Sequence, residues 1–238
     1  MNKDNILIGI IGLLLGFIIG FMFANSANQR ASHPPPPAAI AQPNPALPPD
    51  HPPIQSGAGG QGAMLADVQA AIKLARDQPD NFDAQMKAAE SYYQIQRFDE
   101  ALEFLKRANQ IRPQAFEPMA NLGNVYFDSQ RYEEAEKWYT EALKIKPDDV
   151  NVRTDLGLTF FLRTPPDIER AIKEYRASLE RDPRHEQTLQ NLVAALTRVG
   201  NVKEAEEMIA RLGEVNPSNQ SLSKLRSDID NLKSQTQK

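Results

Sequence analysis

The repeating unit of this chain is most complete in residues 116–149, which read FEPMANLGNVYFDSQRYEEAEKWYTEALKIKPDD. Two apolar stretches are separated by a short polar turn, and Pro147 near the end cannot continue a helix. Gly123 and Ala135 are small enough to let two helices cross closely, and Tyr139 is large enough to fill the space between helices. The segment therefore predicts a helix–turn–helix unit that ends at Pro147.

The same spacing recurs along the chain. Proline stands at positions 79, 113, 147, 183 and 217, and alanine stands twelve residues before the last four of these, at Ala101, Ala135, Ala171 and Ala205. The steps are 34 residues, except for one of 36 that comes from two extra residues around Thr164-Pro165-Pro166. A turn between helices tolerates such an insertion, and this turn is also a candidate contact loop. Two residue types that share one period predict a solenoid of stacked helix pairs.

The unit resembles the tetratricopeptide repeat (TPR), whose signature places are filled by Leu122-Gly123, Tyr126, Tyr132, Ala135, Tyr139, Ala142 and Pro147. Three further units follow the pattern, over residues 82–115, 150–185 and 186–219, although Ala88-Ala89 and Val193 depart from the usual Leu-Gly and Gly. The resemblance implies an all-α TPR solenoid over residues 63–219 with about four repeats. It also implies a non-enzymatic module that binds other proteins.

Helices are predicted on both sides of the repeats. Residues 64–78 lie before Pro79 and fill the second-helix place of an incomplete repeat. Residues 220–238 form a capping helix and tail, in which Leu222, Leu225, Ile229 and Leu232 make one apolar stripe. A solenoid needs such a cap to cover its last repeat.

The N-terminus predicts a membrane anchor. After a leader of residues 1–5, residues 6–24 read ILIGIIGLLLGFIIGFMFA without a charge, and as a helix they span roughly 28 Å, close to the thickness of the bilayer core. A cleaved signal peptide is the alternative, but its apolar region is shorter. Gly12, Gly16 and Gly20 lie on one face of this helix, as in transmembrane helices that dimerise, so the anchor predicts contact with lipid and a homodimer.

Residues 25–62 form the predicted spacer, a disordered segment rich in proline and glycine. It would hold the solenoid away from the bilayer. Lys3 and the free amine before the anchor favour an extracytoplasmic, for example periplasmic, solenoid on a single-pass protein of the cytoplasmic membrane, and a cytoplasmic solenoid is the alternative.

The composition argues against nucleic-acid binding and against catalysis. The net charge is −4, so there is no basic field for DNA or RNA, and the absence of cysteine excludes disulfides and thiolate metal sites. Two of the three histidines, His33 and His51, lie in the spacer, and His185 stands alone between repeats. No phosphate loop, HExxH or GxSxG motif is found. We therefore expect no enzyme activity, no cofactor and no metal.

The TPR resemblance implies that partners bind on the concave face, which is lined by the first helix of each repeat. The predicted binding residues are Met86, Glu90, Tyr93, Asn124, Phe127, Asp128, Leu158, Phe161, Leu162 and Arg198. Tyr93, Phe127 and Phe161 recur at one place in successive repeats, so they form either an aromatic row for ligands or a packing layer. The chain does not match the basic groove with which some TPR proteins clamp a C-terminal carboxylate, because only Asn124 fits that pattern and Met86 replaces its lysine.

The predicted function is a membrane-anchored scaffold that gathers proteins into a membrane or envelope complex, binding protein or peptide segments in its groove. Two alternatives remain open. The first is an assembly factor or chaperone-like helper, for example in cytochrome c maturation or secretion. The second is a regulatory subunit of a membrane enzyme complex.

Overall fold

The computed structural model describes residues 59–236. The predicted leader, anchor, glycine stripe of Gly12, Gly16 and Gly20, and most of the spacer lie outside these residues. The described residues form ten helices: α1 (Gly59–Asp77), α2 (Phe82–Gln94), α3 (Phe98–Ile111), α4 (Phe116–Asp128), α5 (Tyr132–Ile145), α6 (Val150–Leu162), α7 (Ile168–Arg181), α8 (Glu186–Arg198), α9 (Val202–Val215) and α10 (Leu222–Thr236). Among these described helices, none has the length and apolar character needed to cross a bilayer.

The helices form a solenoid of four repeats, in which each helix packs on the next along the chain. The repeats pair α2 with α3, α4 with α5, α6 with α7, and α8 with α9. Helix α1 packs on α2, and α10 covers the last repeat through α8 and α9. The predicted all-α TPR solenoid is therefore confirmed for the described residues.

Two helix boundaries differ from the sequence prediction. Helix α1 begins at Gly59, so the last four residues assigned to the spacer are helical. No proline lies between Pro53 and Pro79, so no ring blocks the helix in this stretch. The capping helix begins at Leu222, two residues after the predicted start at residue 220, and continues to Thr236.

The proline series ends helices as expected. Each of the five prolines lies two residues beyond the last residue of a helix. Side-chain caps begin two of the helices that follow these prolines: Asn81 accepts from the amide of Ala84 at 3.1 Å, and Asp149 accepts from that of Val152 at 2.9 Å. The recurring proline therefore explains why the helix ends follow the sequence period.

The turns inside repeats one, two and four each contain a residue with a left-handed backbone conformation. Gln96 and Gln130 have φ of 60°, and Gly200 has φ of 78° at the same place in repeat four. Repeat three has the longer Thr164-Pro165-Pro166 turn instead, where the two extra residues are inserted. The insertion thus lies between helices and leaves the helix pair intact.

The core is built from small and large residues that pair across each repeat. The four alanines at the crossing, Ala101, Ala135, Ala171 and Ala205, are fully buried. A Cβ placed on Gly123 would lie 2.4 Å from Tyr139 Cδ1, and one on Gly157 would lie 2.6 Å from Tyr175 Cε1. In repeats two and three, a glycine of the first helix therefore makes room for a tyrosine of the second.

The two repeats that lack this glycine fit the same rule. In repeat one, Ala89 stands at the glycine position and the smaller Leu105 at the tyrosine position. Repeat four has Val193 and Ile209 at these positions, and all four side chains are buried. The departures from the family pattern are therefore compensated in volume.

Candidate functional site

The first helices of the repeats form an inner row, because α4 contacts α6 and α6 contacts α8. A groove of about 720 Å³ lies between α2 and α4. Four of the predicted binding residues, Met86, Glu90, Tyr93 and Asn124, line it together. Met86 also packs on the core, whereas Glu90 is exposed and accepts a hydrogen bond from Lys87 Nζ at 2.8 Å.

Hydrogen bonds hold the side of the groove that is formed by repeat two. The Tyr93 hydroxyl donates to the Asp128 carboxylate, which joins α2 to α4. The hydroxyl of the buried Tyr139 donates to Asn124 Oδ1 at 2.9 Å. Partial burial raises the pKa of Asp128, and the bond from Tyr93 acts in the opposite direction. The side of the groove toward repeat two is thus polar and hydrogen-bonded.

The three aromatic residues of the predicted row differ in their surroundings. Tyr93 is 38% exposed, and its ring centroid lies 6.1 Å from that of Phe98. Phe127 is half-buried and makes an edge contact with Tyr132, with the centroids 5.6 Å apart. Phe161 also packs against the core. Tyr93 is therefore the most accessible ring, and the other two rings contribute to packing as well.

The remaining predicted residues lie farther along the inner row. Leu158 and Leu162, on α6, are half-buried. The Arg198 guanidinium of α8 lies 5.3 Å from the centroid of the Phe161 ring, within the range of a cation–π contact. Leu158 and Leu162 thus add apolar surface to the inner face of α6, and Arg198 adds a basic group on α8.

The sequence prediction missed one line of residues on the inner helices. Lys87 and Asn121, each the sixth residue of its repeat, line the groove between α2 and α4. Asp155 and Asn191 occupy the same place in repeats three and four. The signal was available, because a polar residue recurs there between core positions in all four repeats.

Among the carboxyl groups of the described residues, Asp155 has the pKa that is raised most. Burial raises its pKa to about 6, and the negative charges of Asp128 and Asp149 add to the shift. Its own charge helps to raise the pKa of the Tyr139 and Tyr175 hydroxyls, for which burial is the larger cause. The Asp155 charge therefore acts on both tyrosine hydroxyls and is itself costly at neutral pH.

His185 has a structural position. Its Nδ1 lies 2.6 Å from Thr188 Oγ1, and its Nε2 lies 3.1 Å from Asn151 Oδ1. Thr188 in turn lies 2.6 Å from Thr154 Oγ1, so the histidine joins α8 to α6. Within the described part of the chain, no group of three or more His, Cys, Asp or Glu side chains is placed to hold a metal ion.

Solved structures with the same fold include the crystal structure of MamA, with a TM-score of 0.61 and 20% identity over 66% of this chain and 91% of that one. A MamA fragment from Desulfovibrio magneticus RS-1 has a TM-score of 0.61 and 18% identity over 68% and 90%. YrrB, described as a TPR protein with an unusual peptide-binding site, has a TM-score of 0.60 and 16% identity over 71% and 86%. At these identities the likeness concerns the fold alone. No curated protein sequence matches the chain.

Sequence models of the family match nearly the whole solenoid in succession. Two models described as tetratricopeptide repeat match residues 65–116 and 167–229, and one described as TPR repeat matches residues 123–162. The matched segments together include helices from every repeat found in the structure. This chain therefore belongs to the tetratricopeptide-repeat family.

Proposed function

We propose that this protein is a membrane-anchored scaffold that binds a segment of a partner protein along the inner row of its solenoid. The TPR repeats support the general role of a protein-interaction module. The groove between α2 and α4 carries the finer proposal, because it combines apolar Met86, the accessible Tyr93 ring and the polar groups of Asn121 and Asn124. A groove of this composition suits a segment with both apolar and polar side chains.

Site-specific photo-crosslinking tests the groove. We expect a benzoylphenylalanine at Asn121, which is exposed and lines the groove, to capture a discrete partner in cells that express the full-length protein. The same probe at Glu103, which is exposed on the second helix of repeat one, is the control and should give several-fold less product. Mass spectrometry of the adducts identifies the partner. Equal capture at both positions, or none at Asn121, would contradict the groove as the binding surface.

The proposal includes the anchor, which rests on the sequence alone. Residues 6–24 would hold the protein in the cytoplasmic membrane with the solenoid on its extracytoplasmic side. Gly12, Gly16 and Gly20 would bring two anchors together as a homodimer, since small residues at this spacing permit close helix contact.

Membrane extraction tests the anchor. The full-length protein is expected to stay in the membrane pellet at alkaline pH, whereas a variant that lacks residues 1–30 should move almost completely to the supernatant. The reason is the uncharged segment of nineteen residues, because burying that much apolar surface in lipid makes release very unfavourable. Immunoblots of both fractions give the measurement. A full-length protein that is extracted, or a mature form that starts near Ala27, would rule the anchor out.

A further inference from the structure

One carboxylate on the inner row has no counter-charge. Within the described residues, no hydrogen bond or ion pair is formed by the Asp155 side chain, and the charges that act on it are the negative ones of Asp128 and Asp149. The nearby Arg153 is engaged elsewhere: it donates to Glu174 at 2.8 Å and to the Pro147 carbonyl at 2.7 Å. A mostly buried carboxylate without a partner costs free energy, so its position calls for an explanation beyond folding.

A second buried group, on which the Asp155 charge acts, also lacks a partner. Tyr175 is fully buried, and its hydroxyl makes no hydrogen bond to any described residue. Its ring crosses α6 at Gly157, where an added Cβ would lie 3.2 Å from Tyr175 Cζ, so the hydroxyl points toward the inner row. The influence of the Asp155 charge on Tyr175 agrees with this direction.

In repeat two, the hydroxyl of the corresponding tyrosine has a hydrogen-bond partner. Tyr139 crosses α4 at Gly123 in the same way, and its hydroxyl donates to Asn124. In repeat three, Leu158 stands at the position of Asn124 and offers no acceptor. The unpaired hydroxyl is therefore a specific consequence of one substitution between repeats.

Asn191 adds a third polar group in the next repeat. It occupies on α8 the place that Asp155 occupies on α6, and its Nδ2 is buried without a partner. Helices α6 and α8 contact each other, so the two residues belong to neighbouring elements of one surface. The unsatisfied groups are thus two acceptors, the Asp155 carboxylate and the Tyr175 oxygen, and one amide donor.

We propose that Asp155, the Tyr175 hydroxyl and the nearby Asp128 form a subsite that binds the basic side chain of a lysine or arginine in the partner segment. The ammonium or guanidinium group supplies the positive charge and the donors that Asp155 lacks, and Tyr175 gains a partner at the floor of the subsite. This inference deepens the proposed function and rests on it, because it requires that a partner segment lies along the inner row.

Peptide selection provides the test, with a random peptide library displayed on phage as the probe. Peptides of about twelve residues are suitable, because they reach about 40 Å when extended, as far as four inner helices that lie roughly 10 Å apart. The full-length protein in detergent is expected to enrich peptides with lysine or arginine at one fixed place. Asp155→Asn should lose this preference. Asp67→Asn, at an exposed carboxylate of α1, is the matched control and should keep it.

Affinity measurements on one selected peptide then isolate the contact between Asp155 and the basic side chain of the peptide. Replacing its basic residue with a neutral analogue, citrulline for arginine or norleucine for lysine, should weaken binding to the parent protein about tenfold or more. The same change should alter binding to Asp155→Asn no more than about twofold. Fluorescence anisotropy gives both values, and a double-mutant cycle separates this contact from the rest of the interface.

Each other result overturns the subsite. Groove-binding peptides without a basic preference, or a preference that survives in Asp155→Asn, would reject it and leave the proposed function in place. Recovery of no peptide by either protein would reject the subsite and count against the proposed function as well. A folding defect is readily recognised, since thermal unfolding of Asp155→Asn is measured alongside.

Discussion

Replacing Gly123 with alanine is expected to cause a large loss of stability in the solenoid. The new Cβ would lie 2.4 Å from Cδ1 and Cε1 of Tyr139, a distance at which atoms overlap. The ring cannot move away easily, because it is 1% exposed and its hydroxyl is held by Asn124. Overpacking of this kind costs about 1–3 kcal/mol or more. The free energy of unfolding of a fragment covering residues 55–238, measured by urea denaturation, gives the value.

Gly213→Ala is the matched control, because it is the same change in another helix. There the added Cβ meets nothing closer than the flexible end of Arg226 at 3.5 Å, so alanine should be neutral or stabilise by up to about 1 kcal/mol. A second variant tests the cause. Gly123→Ala combined with Tyr139→Leu copies the Ala89 and Leu105 pair of repeat one and should recover part of the loss. Equal stability of Gly123→Ala and the parent would mean that the ring does not lie against this glycine.

Much of the fold could be predicted from the sequence, because proline and small residues act locally. A proline ends a helix wherever it occurs, so the series from Pro79 to Pro217 fixes the boundaries. The pairing of Val193 with Ile209 could not be predicted in this way, since it depends on which side chains meet across two helices. The early start of α1 at Gly59 was missed for another reason: glycine suggests a flexible segment, but it does not forbid a helix.

The candidate site was predicted less completely than the fold. The family pattern selected Met86, Glu90 and Tyr93 together with Asn124, and in the structure these residues line one groove, because the register of the inner helices follows from the repeat. The family pattern does not single out Asp155, because the role of this residue depends on its burial and on its lack of hydrogen-bond and ion-pair partners. Those properties arise only when Tyr175 of the same repeat and Asp128 of the preceding repeat are brought beside it.

The unpaired Asp155 also has a cost that should appear in the pH dependence of stability. Its pKa is about 6 in the folded protein against an ordinary value of 3.8, so between these values the folded state binds more protons than the unfolded state. The contribution of Asp155 to the stability of the fold is therefore fully present below about pH 4, where the carboxyl is neutral. It is lost as the pH rises through 6 and the carboxyl ionises. A shift of this size corresponds to roughly 3 kcal/mol at neutral pH. At neutral pH the Asp155 carboxylate is charged in the folded protein, although burial and the neighbouring carboxylates oppose this charge.

Asp155→Asn is accordingly expected to stabilise the solenoid by about 1–3 kcal/mol at pH 7 and to have little effect near pH 4, where the aspartate is already neutral. The measurement is the difference in free energy of unfolding between variant and parent in urea, at several pH values, because the difference cancels the other carboxylates. Asp67→Asn, at an exposed side chain, should show no such pH-dependent gain. If Asp155→Asn destabilised the protein at pH 7, the carboxylate would have a favourable partner in the folded state. A gain in stability together with lost selection of basic peptides would instead identify Asp155 as a residue that serves binding at the expense of folding.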